Sequence, residues 1–236
     1  MDRITEEQLA TAYKLMDDGN TGESIKLYFD CLLTITEDDD PVALVHILAG
    51  ISTNFKILIR TSSSEIYKNL TLVYSEESYK VAERNKGRVD NETLSVSYKA
   101  WADALMMAGR TEEALPVFEQ AYEVSVKGSP AMASIKAHIG GVKYLLGNKE
   151  EGIEIVERVL KDIRTGDMSN HSIRILETGC LNALAKIHAI EGRKELALKI
   201  ISESIAVANE RRLLVRLREA EEIKNKIELG VDEFDL

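Results

Sequence analysis

The chain has 236 residues, of which 44% are hydrophobic and 30% charged, and carries a formal net charge of −10. That length allows one domain or two small ones with a sizeable core, and the charge argues against general binding to nucleic acid or to anionic membranes. Only 3 Pro and 4 Phe stand beside plentiful Leu, Ala, Ile, Glu and Lys, a balance that favours helix over strand.

Start signals and glycine breaks predict eleven helices, at roughly 5–17, 22–36, 41–59, 65–85, 91–108, 112–127, 130–146, 149–164, 171–190, 194–209 and 211–229. Thr5 and Gln8 have the spacing of a capping box at the first of them. Asp40-Pro41 and Ser129-Pro130 each set an N-cap residue before Pro at the first helical position, where a missing N–H costs nothing. The acid pairs Glu76-Glu77, Glu112-Glu113 and Glu150-Glu151 are read as first-turn residues that favour the helix dipole.

Apolar periodicity supports these assignments. Leu115, Phe118, Tyr122 and Val126 recur at three and four, as do Ile153, Val156, Leu160 and Ile163, so each helix carries one stripe. Pro116, one turn into its helix, predicts a slight kink rather than a break. In the last helix Leu213, Leu217, Ala220 and Ile227 share one side, with Ile223 at its edge, while Arg212, Arg216, Glu219 and Glu222 fall elsewhere. One apolar and one wet face suit a helix that caps a stack. The tail 231–236 is short and acidic, and is expected to be disordered.

One phrase recurs: a small residue, a Gly turn, an acidic start, a small residue, a large apolar residue and a second small one. Its best copy is Ala102, Gly109, Ala114, Phe118 and Ala121. The next has Gly140, Gly147, Gly152, Val156 and Val159; the third has Ala185, Gly192, Ala197, Ile201 and Ser204. A weaker first copy runs Ala12, Gly19, Ser24, Tyr28 and Cys31. Turns this short force antiparallel pairs, successive pairs stack on a shared core, and the small residues let the helices approach closely.

In these residues the sequence resembles the tetratricopeptide repeat family. The resemblance implies an all-α fold: an α-solenoid of antiparallel helix pairs wound as a right-handed superhelix. It would form a single domain over 1–230, clearest at 95–205, with 211–229 as its capping helix. The spacing departs from the family, with 38 residues from Gly109 to Gly147 and 45 from Gly147 to Gly192, against a period of about 34. Residues 41–90 read as helical without the phrase. The repeats are therefore divergent, with one blurred pair.

In proteins of this kind the first helix of each pair lines a concave groove. Aligning the repeats places Lys99, Asp103 and Met106 there, then Ala137, Gly141 and Tyr144, then Asn182 and Lys186. Asn182 would hold the backbone of a bound peptide, and Lys99 and Lys186 would meet its acidic groups. The set of Lys and Asn residues with which some members grip a partner's C-terminal carboxylate is not reproduced, because Asp103, Gly141 and His138 stand at matching positions.

The sequence holds no pattern of catalysis. His46, His138, His171 and His188 lack short ligand spacing, Gly140-Gly141 lacks the Gly-Lys-Ser/Thr of a phosphate loop, and no nucleophile elbow occurs. No cofactor or metal is expected. Cys31 and Cys180 read as small buried apolar groups in a reducing compartment. The polar N-terminus offers no signal core, and no apolar run is expected to reach the ~20 residues of a membrane helix, so the protein is expected to be cytoplasmic.

Charge is uneven along the chain: residues 1–40 hold 11 acidic and 3 basic residues, and 193–228 hold 9 basic and 7 acidic. That asymmetry leaves self-association open. The sequence thus points to a non-enzymatic scaffold that binds a peptide or protein segment in its groove. The alternative is a regulator whose stack changes curvature when a peptide or small ligand binds.

Overall fold

A computed structural model describes residues 3–62 and 64–234. Among them are eleven α-helices and no strand: α1 (Arg3–Asp17), α2 (Thr21–Leu32), α3 (Pro41–Ser62), α4 (Glu65–Arg84), α5 (Asn91–Met107), α6 (Thr111–Val124), α7 (Pro130–Leu145), α8 (Lys149–Ile163), α9 (His171–Ile190), α10 (Lys194–Glu210) and α11 (Leu214–Glu228). The chain forms two compact units, Met1–Val126 with α1–α6 and Lys127–Leu236 with α7–α11.

The boundaries follow from local chemistry. Asp40 Oδ1 accepts the Ala43 N–H at 2.9 Å, and Ser129 Oγ accepts that of Met132 at 3.1 Å, as the Asp-Pro and Ser-Pro pairs predict. Asp90 and Asn170 cap α5 and α9 in the same way. Gly19, Gly109, Gly147 and Gly192 all take positive φ, between +73° and +94°, and turn the chain between paired helices. α6 runs through Pro116 unbroken.

Several expectations are corrected. Thr5 lies inside α1 rather than before it, so it is no N-cap; its expected partner Gln8 instead accepts from the Cys31 thiol at 3.6 Å. α2 ends at Leu32, short of 36, and α11 begins only at Leu214, after Arg212 adopts φ 55°. Glu76 and Glu77 sit well inside α4, paired with Lys80 and Arg84, and cap nothing. Glu219 is buried in α11 against Arg216 at 2.8 Å, and Ile223 is a full core residue rather than an edge one. Phe234 packs against the α9–α11 core, so that part of the tail is docked; residues 235–236 lie outside the described residues.

α3 is also more apolar than the sequence reading allowed. Its window Pro41–Ile59 is 19 residues long, with a mean hydropathy of 1.8, and by length and composition alone it could cross a membrane. Half of that window is buried, and α1, α2, α4 and α5 all pack on this helix. Burial on several sides accounts for its composition.

Each unit has two layers. In the first, consecutive helices pack in series, and α3 also packs on α1 and on α5; in the second, consecutive helices pack likewise, and α9 also packs on α7 and on α11. Among the described residues the even-numbered helices make no comparable backbone approach, although the rings of Phe29 on α2 and Tyr74 on α4 meet edge-on at 5.8 Å. A layer whose members sit closer together is the inner side of a bend, so each unit turns its odd-numbered helices inward.

The paired helices meet at the small residues of the recurring phrase. Ala12, Ala102, Ala114, Ala185 and Ala197 are wholly buried, and Ser24 Oγ donates to the Ala12 carbonyl at 2.7 Å. In the α3–α4 pair, which lacks the phrase, Ser78 Oγ donates to the Val45 carbonyl and Ser52 Oγ to that of Thr71, both at 3.1 Å. There, hydroxyl-to-carbonyl bridges between the helices do the seating.

Candidate functional site

The first unit gathers three charged side chains on its inner layer. Lys99 and Asp103 lie one turn apart on α5, and Asp103 Oδ2 accepts from Lys99 Nζ at 2.9 Å. The same oxygen accepts from Lys56 Nζ of α3 at 2.5 Å. Asp103 is 8% exposed, whereas the side chains of Lys56 and Lys99 keep 20% and 28% of their surface. Met106, one turn beyond Asp103, is half-buried. Lys99, Asp103 and Met106 therefore share one stripe of α5, and the carboxylate belongs to the seam between α3 and α5 rather than to open ground.

Sequence reasoning missed Lys56. A signal was present, because Lys56 is the only Asp, Glu, Lys or Arg residue in the window Pro41–Ile59. A lone ammonium in so apolar a helix requires a partner. That partner lies 47 residues further on, in a different helix pair.

In the second unit, the alignment-based candidates turn out differently. Asn182 is 3% exposed, and its Oδ1 accepts from Ser204 Oγ of α10 at 2.6 Å. It faces the even-numbered layer and is not groove-facing; its Nδ2 is buried without a hydrogen-bond partner. Tyr144 is likewise buried, at 3% exposure, and is not open to a ligand. Its hydroxyl donates to Glu191 Oε1 at 3.1 Å, and Lys149 Nζ stands 5.5 Å from its ring centre. Burial, aided by the bond to Glu191, pushes the Tyr144 hydroxyl up to about 12. Ala137 and Gly141 are also buried. Lys186 is half-exposed on α9, and it has a partner.

Glu191 collects these groups at the α9–α10 turn. Arg193 pairs with it at 2.6 Å and Lys149 at 3.4 Å. Burial pushes its carboxyl up, but the bonds from Tyr144 and Lys149 and the charge of Arg193 outweigh that and hold it below the usual range. A second cluster surrounds Glu177, which is almost wholly buried and accepts from Arg164 Nε at 2.9 Å and Arg174 Nη1 at 2.7 Å. Both clusters tie helices together within this unit.

Two shallow clefts open beside α8, sharing Glu157 as a wall. One is floored by Leu160, Leu181, Leu184 and Ile200. Its Arg164 already pairs with Glu177 and Glu203, and the other cleft's Lys149 and Arg193 pair with Glu191. Among the described residues no group of three or more His, Cys, Asp or Glu side chains could hold a metal ion. Both cysteines are buried; burial pushes the Cys180 thiol up to about 12, so it is a poor nucleophile.

No protein-family profile matches this chain, and no curated protein matches it. Solved structures do. A Rap protein complexed with competence and sporulation factor superposes with a TM-score of 0.66 at 15% identity, over 87% of this chain and 54% of its own. The nearly identical TPR-like repeats of a putative Podosopora anserina kinesin light chain give 0.55 at 14%, over 90% and 99%. A thermophilic TPR protein of Thermus thermophilus gives 0.55 at 20%, over 92% and 98%. The chain spans about half the length of the Rap protein it matches. The fold is thus a divergent tetratricopeptide-like array of antiparallel helix pairs.

Proposed function

We propose that this chain is a non-enzymatic protein-interaction scaffold, and that it receives an extended segment of a protein or peptide partner on the inner layer of its first unit, across α3 and α5. The observation that carries this reading is the disposition of that layer. α3 packs on both α1 and α5, the half-exposed side chains of Lys56 and Lys99 meet at the seam between α3 and α5, and the half-exposed Met106 lies on the same stripe of α5. Adjacent helices offering cations and a thioether suit a peptide, since Met adapts its shape to varied partners. The Rap protein that shares this fold was solved in complex with a further factor, which supports binding as the use of such a scaffold.

The test is selection of peptides from a random display library on the full chain, followed by mapping with methyl-labelled methionine. Binding on the proposed layer shifts the resonances of Met106 and Met107 and leaves those of Met132 and Met168 in place. Peptides that move only Met132 or Met168, or a selection that yields none, count against the reading.

A further inference from the structure

We infer that the chain binds a second copy of itself: the arginines around the α10–α11 turn of one copy seat on an acidic, tyrosine-centred stripe of α1 in the other. These surfaces lie apart from the seam between α3 and α5, so the inference stands independently of the segment-binding reading.

Residues 211–218 hold four Arg and no acid, in a chain with 40 acids and 30 bases. Among the described residues Arg212 is the one non-glycine with positive φ, at 55°. Its N–H donates to the Asn209 carbonyl at 3.2 Å, and the Leu213 N–H donates to that of Ala208 at 2.9 Å. Gly192 and Arg193 close the α9–α10 turn with the same two bonds, to Ala189 and His188. Glycine makes this turn without strain, yet here an arginine holds the left-handed conformation. Nothing within the chain offsets that strain. The exposed guanidinium of Arg212 has no ion pair or hydrogen bond among the described residues, and neither has that of Arg218. Leu214, 44% exposed, lies between them. Arg211 is already shared with Glu210 at 3.2 Å, so the weight falls on Arg212 and Arg218.

The complementary surface is on α1. Glu6, Ala10, Tyr13 and Asp17 recur at four, three and four, and share one stripe. α1 packs on α2 and α3, and this stripe stays open: Tyr13 is 54% exposed, and Glu6 and Ala10 are exposed beside it. Arg212 and Arg218 flank Leu214 as Glu6 and Asp17 flank Tyr13. A guanidinium pairs with a carboxylate and also stacks on a phenol ring, so arginine suits both parts of the stripe. The minority charges, Glu221 one turn from Arg218 and Lys14 beside Tyr13, are opposite in sign as well.

Every copy carries both surfaces, so receptor and ligand are present at equal concentration. Two copies repel at long range through a net charge of −10 each, but screening limits that field to about 8 Å at physiological salt, and contact decides. Because the two surfaces differ, the contact is heterologous, and a bound pair still offers one of each.

The test is sedimentation velocity of the full chain over a concentration series, with each variant's folding checked by thermal melting. The natural chain should sediment faster as concentration rises. Arg212→Gly should melt higher, since the strain is gone, and yet associate about tenfold more weakly. One double variant, Arg212→Gly with Arg218→Ala, lacks the basic surface; another, Glu6→Gln with Tyr13→Ala, lacks the acidic one. Each alone should stay monomeric, and an equimolar mixture should give a one-to-one dimer and nothing larger, because one intact contact remains.

A natural chain that stays monomeric throughout overturns the inference. So does association that survives in either double variant, or a mixture that fails to restore the dimer, which is the mark of a two-fold interface. Should Glu6→Gln with Tyr13→Ala melt lower, Glu6→Gln alone takes its place. A monomeric chain that binds phosphatidylglycerol vesicles or polyglutamate through Arg212 and Arg218 gives the basic surface another occupant, and that also overturns the pairing.

Discussion

Gly140 of α7 and Gly152 of α8 face each other with no room for a side chain on either. A Cβ on Gly152 would stand 2.6 Å from the Gly140 carbonyl oxygen and 2.7 Å from the Tyr144 backbone nitrogen. A Cβ on Gly140 would stand 2.9 Å from the Gly152 oxygen. The two backbones touch at the positions where other pairs carry Ala102 and Ala114, or Ala185 and Ala197, each set 12 residues apart.

Gly152→Ala should therefore destabilise the chain by about 1–3 kcal/mol despite its better helix propensity, because backbone cannot yield as a side-chain tip can. Denaturant titration measures this. A gain in stability, as expected for Gly→Ala in an uncrowded helix, would contradict the contact. Gly22, where an added Cβ would meet nothing within 4 Å, serves as the control and should tolerate Ala.

Asn182 and Ser204 form a buried polar pair at 2.6 Å, and Ser204 also reaches the Thr178 carbonyl at 3.4 Å. Ser204→Ala strands the amide oxygen of Asn182 and should cost about 1–3 kcal/mol. The double change Asn182→Leu with Ser204→Ala should cost less than the sum of the singles, since no polar atom of the pair is left alone. A ligand role for Asn182 predicts instead a loss of peptide affinity at unchanged stability.

Glu177 is the carboxylate on which Arg164 of the α8 C-terminus and Arg174 of α9 meet. Glu177→Gln leaves the guanidinium of Arg174, 11% exposed, with the exposed Glu210 at 3.4 Å in place of its buried carboxylate partner. The expected cost is on the order of 3 kcal/mol, at the low end for a broken buried pair because Arg164 reaches solvent. An unchanged denaturation midpoint would remove the cluster from any account of the second unit's stability.

His46 predicts a pH dependence. Burial lowers the pKa of its ring, against the opposing pull of Asp90, Glu92 and Asp40. The folded state then holds the ring neutral where the unfolded chain, at about 6.5, begins to bind a proton. Its contribution is fully present above about 6.5 and is lost as pH falls from there through the lower folded value. Between pH 7.5 and 5.5 the denaturation midpoint should fall less steeply in His46→Gln than in the natural chain. Parallel curves would contradict the assignment. His188 is also depressed by burial, so part of the slope persists in the variant.

Much of the fold was legible in the chain itself. Asp40-Pro41, Ser129-Pro130 and the positive-φ glycines at 19, 109, 147 and 192 act through backbone chemistry within a few residues, and short-range chemistry reads directly from order. The spacing of 12 between facing small residues is likewise a local count, set by one helix, one turn and the return. These are properties of neighbours along the chain.

The candidate site was legible only in part. Lys99, Asp103 and Met106 share a stripe because helix periodicity places them there, yet the same alignment carried to the next pairs pointed to Tyr144 and Asn182, which are buried. With repeats of 38 and 45 residues, glycine spacing sets where a helix ends but not which side its neighbours cover. Lys56 and Asp103 are 47 residues apart, and the phrase is missing from the pair that holds Lys56. Sequence by itself determined the helices, their turns and their small-residue contacts, because those depend on backbone and near neighbours. Only the tertiary structure decided which polar groups meet and which are covered, because that depends on the rotation of each helix against residues distant in the chain.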